Sequence, residues 1–339
     1  MASEVRVLEH TSSVLKNNPL GDPYKRSVLV YLPPSYKNDN RKRYPVLYLI
    51  SGFTGYGALN MNLSPYSENI QQRLDRLIRT GKIKDMIVVM PDCFTKYGGS
   101  QYVNSAATGR YEDYLVKEIV PFIDGNFRTL PQAASRCIVG KSSGGYGAMW
   151  LTMRNPGTFG LMATHSGDSA FEYCYMPDFA NFVIDIQKFG KGHKAVQNFI
   201  RTELNNKQPK GREFHNILNN IGMASCYSPN PKRKEYNFDL PFDIYTGELI
   251  PDIWKKWLQH DPVRLVEKYR SNLKKLKMIY VDCGVRDEFR LHSGARIFTD
   301  KLSKIGVKYI HKEFNAGHFN VQYRYDESFP VISKHFSYK

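Results

Sequence analysis

The reading of the fold turns on CIVGKSSGGYGAMWLTM, Cys137 to Met153, where an apolar run stops at Gly140-Lys141-Ser142-Ser143-Gly144 and resumes with a helix-like pattern. It reads as a strand, a sharp turn and a helix, with Ser142 at the apex. A serine hydroxyl is a poor nucleophile at neutral pH. A strained turn that sets it between a base and the first N–H groups of a helix is what acyl-transfer chemistry requires. Glycine at both outer positions suits a turn where strand and helix come too close for side chains. The five-residue pattern alone would equally suit an ordinary loop or N-cap serine. The apolar flank before it and the helical flank after it make Ser142 the candidate nucleophile.

Other segments supply what such a turn needs. Tyr44-Pro45-Val46-Leu47-Tyr48-Leu49-Ile50 reads as a buried strand and empties into Ser51-Gly52-Phe53-Thr54-Gly55-Tyr56-Gly57. A glycine-rich loop there can turn a backbone N–H toward a reacting carbonyl, and the N–H groups of Phe53 and Ser143 are the expected oxyanion donors. The competing account is a plain glycine turn. Lys277 to Gly284 is a further strand, followed by Val285-Arg286-Asp287-Glu288-Phe289. Asp282 lies within the strand and Glu288 has the longer, looser side chain. Asp287, just beyond a strand's carboxyl end, is the favoured acid, ahead of Glu288. Its bland alternative is a loop carboxylate paired with Arg286 or Arg290. Val307 to Phe314 alternates like a strand and leads into Asn315-Ala316-Gly317-His318-Phe319-Asn320. Of nine histidines, His318 has the chain order and loop position of a base. His292 reads as a helix-start residue and His311 as a strand side chain.

Together, YPVLYLISGF, PDCFTKYGGSQYVNS, GKSSGGYGAM, DCGVRDEF and NAGHFN resemble the putative esterase family of α/β-hydrolases, which includes S-formylglutathione hydrolases, feruloyl esterases, enterochelin esterases and mycolyltransferases. The resemblance covers most of residues 25 to 165 and 275 to 325. It implies Ser142 as nucleophile, His318 as base, Asp287 as acid and the Phe53 and Ser143 N–H groups as oxyanion hole. One departure stands out. Many relatives carry His-Gly where this chain has Ser51-Gly52, which leaves open how the oxyanion loop is supported.

The chain's 339 residues, 42% of them hydrophobic, can bury one large core. Ser27 to Leu32 and Met86 to Met90 read as further strands. Tyr111 to Ile123 puts Leu115, Ile119, Phe122 and Ile123 on one helical face. Alternating strands and helices imply an α/β-hydrolase fold: a mostly parallel central sheet with helices on both faces, forming one domain over residues 1–339. The loop Lys96 to Asn104 should border the cleft, with Gln101 and Tyr102 as substrate contacts; surface polarity explains them about as well. Residues 168–260 are longer than a crossover needs. They carry Phe171, Tyr173, Tyr175, Phe179, Phe182, Trp254 and Trp257, too many aromatics for a solvated linker. This helical, aromatic-rich insertion is expected to cap the cleft and to shape substrate range rather than chemistry. A peripheral decoration or a homo-oligomer contact is the competing use.

Five cysteines, odd in number and widely spaced, suggest reduced, buried thiols and a cytoplasmic setting. The N-terminal MASEVRVLEHTSS has neither a basic opening nor an apolar core, and no membrane span is expected. A formal charge of +16 comes from 48 Lys and Arg against 32 Asp and Glu. The bases are scattered and no nucleic-acid-binding signature accompanies them, so a solvated basic surface is expected and no specific nucleic-acid partner. Attraction of anionic substrates is the alternative. No metal-ligand spacing is present and the chemistry requires no metal or organic cofactor. The expected activity is a serine esterase acting on a small-molecule ester or thioester through an acyl-enzyme. An acyltransferase of the same fold and a non-catalytic binding protein on a hydrolase scaffold are the alternatives.

Overall fold

The apolar runs at 46–50, 87–91, 136–141, 161–165 and 278–284 are the strands of one sheet in a computed structural model that describes residues 2–339. Numbering the sheet strands in chain order gives β1 (Glu4–Thr11), β2 (Lys25–Leu32), β3 (Val46–Ile50), β4 (Ile87–Pro91), β5 (Arg136–Lys141), β6 (Leu161–His165), β7 (Met278–Gly284) and β8 (Ile310–Phe314). They lie side by side in the order β1-β2-β4-β3-β5-β6-β7-β8. β1 is antiparallel to β2 and β2 to β4; every pairing from β4 to β8 is parallel.

The central strands read as unbroken apolar runs because both faces are covered. Val46, Tyr48 and Ile50 of β3 join one buried cluster, Leu47 and Leu49 the other. Helix α1 (Ile70–Arg79) and the C-terminal helix α8 (Tyr325–His335) cover the second face with Leu74, Leu77, Phe329 and Ile332. On the first face lies α2 (Ser143–Arg154), in which Ser143 to Met153 are all buried. It is joined by α7 (Leu291–Lys304), through Phe298 and Leu302, and by the helical stretch 111–126. That stretch widens to a π-helical turn at Tyr114–Ile119. The Val120 N–H reaches back to the Leu115 carbonyl immediately before Pro121, which has no N–H to offer a normal turn.

Two elements lie outside the sequence expectations. β1 is a half-exposed edge strand whose pattern is too polar to announce itself, and α8 carries Pro330 within it. β8 starts at Ile310 rather than Val307, because the Val307 N–H closes the preceding helix on the Leu302 carbonyl.

The insertion holds α3 (Phe179–Ile186), α4 (Gly192–Glu203), α5 (Arg212–Tyr227) and α6 (Pro251–Leu258). Phe171, Phe182, Tyr227 and Trp257 belong to the same buried cluster as Val46 and Tyr48. Asp261 fastens the two ends of the insertion together. Wholly buried, it accepts N–H groups from Ala170 and Phe171 at the entrance, at 2.9 and 3.1 Å, and from Val263 at the exit, at 3.2 Å. All five cysteines are buried free thiols. Among the described residues, no helix is long and apolar enough to cross a membrane.

Burial pushes the Asp261 carboxyl up to about 6, against the three N–H donors that pull it down. An unfolded aspartate titrates near ~4, so between about pH 4 and 6 the folded chain keeps a proton that the unfolded chain has lost. The stabilisation is present below that window and is lost as pH rises through it, by about 3 kcal/mol in all. Urea unfolding of wild type and Asp261→Asn from pH 4 to 7 should therefore show the wild type losing ground to the variant as pH rises. A pH-independent difference would mean that Asp261 does not titrate there.

Candidate active site

β5 lies between β3 and β6, so the turn after it opens at the middle of the sheet's carboxyl edge. Ser142 sits there at φ 57°, ψ −127°, a conformation costly to any residue with a Cβ. Its N–H donates to the His165 carbonyl at 2.9 Å and its own carbonyl accepts the Tyr146 N–H at 2.9 Å. The flanking glycines are steric necessities. A Cβ on Gly140 would stand 2.4 Å from the Gly144 carbonyl carbon, and one on Gly144 2.4 Å from the Ile50 oxygen. Helix α2 thus starts in backbone contact with two strands.

The loops after β7 and β8 bring an acid and a histidine together. Asp287 Oδ2 lies 2.8 Å from His318 Nδ1, and both residues are buried. Asp287 Oδ1 accepts the Phe289 N–H at 2.9 Å and lies 3.4 Å from the Leu291 N. Burial alone would raise the Asp287 carboxyl. The hydrogen bond and charge of His318, with the two backbone donors, outweigh it and hold the group below the usual aspartate range. With Nδ1 donating to the carboxylate, Nε2 is the nitrogen left to accept a proton. Glu288 takes a different position: its Oε2 accepts the backbone N–H of His318 at 2.5 Å and so holds the loop rather than the ring. The histidine loop also approaches the elbow, with Lys141 Nζ 5.6 Å from the centre of the Phe319 ring. Among the described residues, the hydrogen bonds of His318 go to Asp287 and Glu288, and none runs to Ser142.

The loop after β3 is held from several sides. Thr54 N–H donates to the Gly98 carbonyl at 2.7 Å, and Tyr102 OH to the Ser51 carbonyl at 2.6 Å. The Phe53 ring is gripped between the 94–105 loop and the insertion: a Cβ on Gly98 or on Gly222 of α5 would fall 2.5 or 2.7 Å from it. Among the described residues, the backbone N–H groups of Phe53 and Ser143 are not engaged within the chain. Tyr102 thus holds the backbone of Ser51, immediately before Gly52 and Phe53.

Gln101 and Tyr102 are 1% and 5% exposed and lie behind the loop after β3 rather than on an open surface. Both adopt positive φ, 47° and 55°. Gln101 Nε2 lies among Asp168 Oδ2, Tyr175 OH, Tyr227 OH and Met223 Sδ. Asp168 was not anticipated from the sequence. It lies three residues past β6, and the loop-position argument that picked Asp287 would have found it too.

Asp282, the third acid, belongs to a second constellation of the same chemical types. Its Oδ1 lies 2.6 Å from His165 Nδ1, and His165 Nε2 lies 3.0 Å from Ser328 Oγ on α8. Arg324 and Tyr280 occupy Asp282 Oδ2. Ser328, His165 and Asp282 are 0%, 2% and 1% exposed, so no substrate reaches them, and the group fastens α8 to the sheet. A fluorophosphonate should therefore label Ser142 and leave Ser328 untouched, as peptide mass spectrometry would show. Ser328→Ala should lower stability by about 1–3 kcal/mol through the orphaned imidazole nitrogen without loss of labelling.

A family model described as "Putative esterase" matches residues 23–336. Over 155 residues the chain is 34% identical to an endo-1,4-beta-xylanase/feruloyl esterase of Xylanibacter ruminicola, covering 44% of this chain and 20% of that protein. Over 173 residues it is 28% identical to S-formylglutathione hydrolase of Mus musculus, covering 45% of this chain and 53% of that one. The chain thus spans from about a fifth to about half of the length of these curated relatives. Among solved structures, a ferulic acid esterase superposes with a TM-score of 0.63 at 19% identity, over 99% of both chains. An S-formylglutathione hydrolase from Staphylococcus aureus does so with 0.57 at 18%, over 99% of both. At these identities the likeness is one of fold. The elbow, the loop after β3 and the Asp287–His318 pair all fall within the matched residues, and the chain belongs to the putative esterase family, with the α/β-hydrolase fold.

Proposed function

We propose that the chain is a serine esterase in which Ser142 is the nucleophile, His318 the base, Asp287 the acid that orients it, and the Phe53 and Ser143 N–H groups the oxyanion donors. The observation that carries this reading is the buried 2.8 Å contact between Asp287 and His318 at the same sheet edge as the strained Ser142. In the first half-reaction Ser142 Oγ bonds to the carbonyl carbon of an ester or thioester while its proton passes to His318 Nε2. Negative charge gathers on the former carbonyl oxygen, where two uncommitted N–H groups at a helix start and a loop suit it. Collapse expels the alcohol or thiol, which takes the proton from the imidazolium. Water then repeats the sequence on the acyl-enzyme, releasing the acid and restoring Ser142.

The names of the relatives supply two leaving-group classes, the oxygen ester of a feruloyl esterase and the thioester of an S-formylglutathione hydrolase. The absence of a Ser142–His318 hydrogen bond accords with catalytic contacts that tighten only when substrate is bound. The buried free thiols favour a reducing, cytoplasmic setting, and the continuous buried cluster favours a single domain.

With p-nitrophenyl acetate as substrate, Ser142→Ala should cut kcat/KM by at least about 10⁴-fold while the far-UV circular dichroism is kept. Asp287→Asn should cost on the order of 10³–10⁴ by favouring the wrong imidazole tautomer. Glu288→Gln, whose amide oxygen can still accept the His318 N–H, should cost less than about tenfold. Near-native turnover in Ser142→Ala would end the serine mechanism. The reverse ranking of the two acids would move the orienting role to Glu288.

A further inference from the structure

Asp168 is a buried carboxylate, 5% exposed, that the mechanism above leaves without a task. Three donors converge on its Oδ2: Tyr175 OH at 2.8 Å, Ser143 Oγ at 3.1 Å and Gln101 Nε2 at 3.3 Å. They come from three parts of the chain. Ser143 follows the nucleophile, Gln101 lies in the loop that supports Phe53, and Tyr175 belongs to the insertion. Gln101 Nε2 extends the connection to Tyr227 OH at 3.1 Å on α5, the helix whose Gly222 abuts the Phe53 ring. Burial pushes the Asp168 carboxyl up, opposed by Tyr175, the His318 charge, Ser143 and Gln101. Keeping a carboxylic acid there is costly, and an apolar residue would fill the space without that cost.

The peptide between Ser142 and Ser143 is where this matters. Its N–H direction is set by the strained Ser142 backbone, which would relieve itself by rotating that peptide plane. The Ser142 N–H bond to the His165 carbonyl restrains the preceding peptide, and the Tyr146 N–H holds the carbonyl of the 142–143 peptide. The Ser143 Oγ bond to Asp168 restrains its N–H end from the side chain. We propose that Asp168 is a positioning residue that anchors the Ser143 side chain, keeps the 142–143 N–H aimed at the oxyanion, and through Tyr175 ties that peptide to the insertion. The proposal rests on the oxyanion-hole reading above. It gives the insertion a part in the chemistry, beyond the control of substrate range expected of a cap. Excision of the segment would remove both Tyr175 and the Gly222 surface behind Phe53, and turnover of small esters should fall with that of bulky ones.

A double-mutant cycle on the full chain tests this, with p-nitrophenyl acetate and kcat and KM measured separately, at temperatures where melting curves show every variant folded. Ser143→Ala and Asp168→Ala, which removes the acceptor altogether, should each lower kcat about tenfold with KM within about twofold, since only the transition state carries the oxyanion. The double variant should lose no more than either single one, because both remove the same contact. Multiplicative losses of about a hundredfold, or a folded Asp168→Ala with unchanged kcat, would overturn the proposal. Should Asp168→Ala fail to fold, the cycle of Ser143→Ala with Tyr175→Phe takes its place, with sub-multiplicative loss supporting the proposal and multiplicative loss refuting it. The wild type with Ser142→Ala separates the two layers. Turnover independent of Ser142 defeats the esterase mechanism itself, whereas Ser142-dependent turnover with an additive cycle defeats only the role of Asp168.

Discussion

The organisation of the carboxyl edge follows from one backbone contact, the approach of α2 to β5 and β3 at Gly140 and Gly144. Neither position has room for a Cβ. The chain reverses within a single residue, and that residue is driven to positive φ with its side chain outermost. Everything nearby can be read as restraint on that reversal. His165 holds the Ser142 N–H, Tyr146 holds the carbonyl, and α2 is buried nearly all round so that it cannot tilt away. Strain at one serine is sustained by packing distributed over the first face of the sheet.

Much of this was legible in the sequence, because the signals are local and steric. A strand buried on both faces is an apolar run, a tight reversal needs glycine, and loops at strand ends carry polar chemistry, so Ser142, Asp287 and His318 stood out. Asp287 and Glu288 show the limit. Adjacent carboxylates carry no sign of which meets the imidazole and which the backbone N–H; only the path of the 315–320 loop decides that. Gln101 and Tyr102 show another. Their loop's place past a strand's carboxyl end suggested a cleft surface, whereas both are buried, Tyr102 bracing the loop after β3 through the Ser51 carbonyl and Gln101 bonding to Asp168 and the insertion. Asp168 was hidden because its partners lie far apart in sequence, at Gln101, Ser143 and Tyr175.

The buried Ser328–His165–Asp282 group shows that residue types and distances alone do not make a catalytic site. Ser328, His165 and Asp282 are hydrogen-bonded in sequence, more completely than Ser142 and His318. What they lack is a strained, accessible hydroxyl and N–H donors for an oxyanion. Their hydrogen bonds join secondary-structure elements, and the same atoms serve as a buried fastening. Because the His165 backbone also holds Ser142, this fastening lies directly behind Ser142.

The sheet order carries a consequence in time. β3, β4, β5 and β6, with the elbow and the loop bearing Phe53, all precede the insertion in the chain, whereas β7 and β8, which present Asp287 and His318, follow it. As the chain emerges from the ribosome, the turn bearing Ser142 can form while His318 is still unmade. Asp261, which draws the ends of the insertion together, is synthesised just before β7. On the mechanism proposed above, Ser142 is thus left without His318 until the last strands dock, and a nascent or truncated chain would be chemically silent even where its fold is already half built.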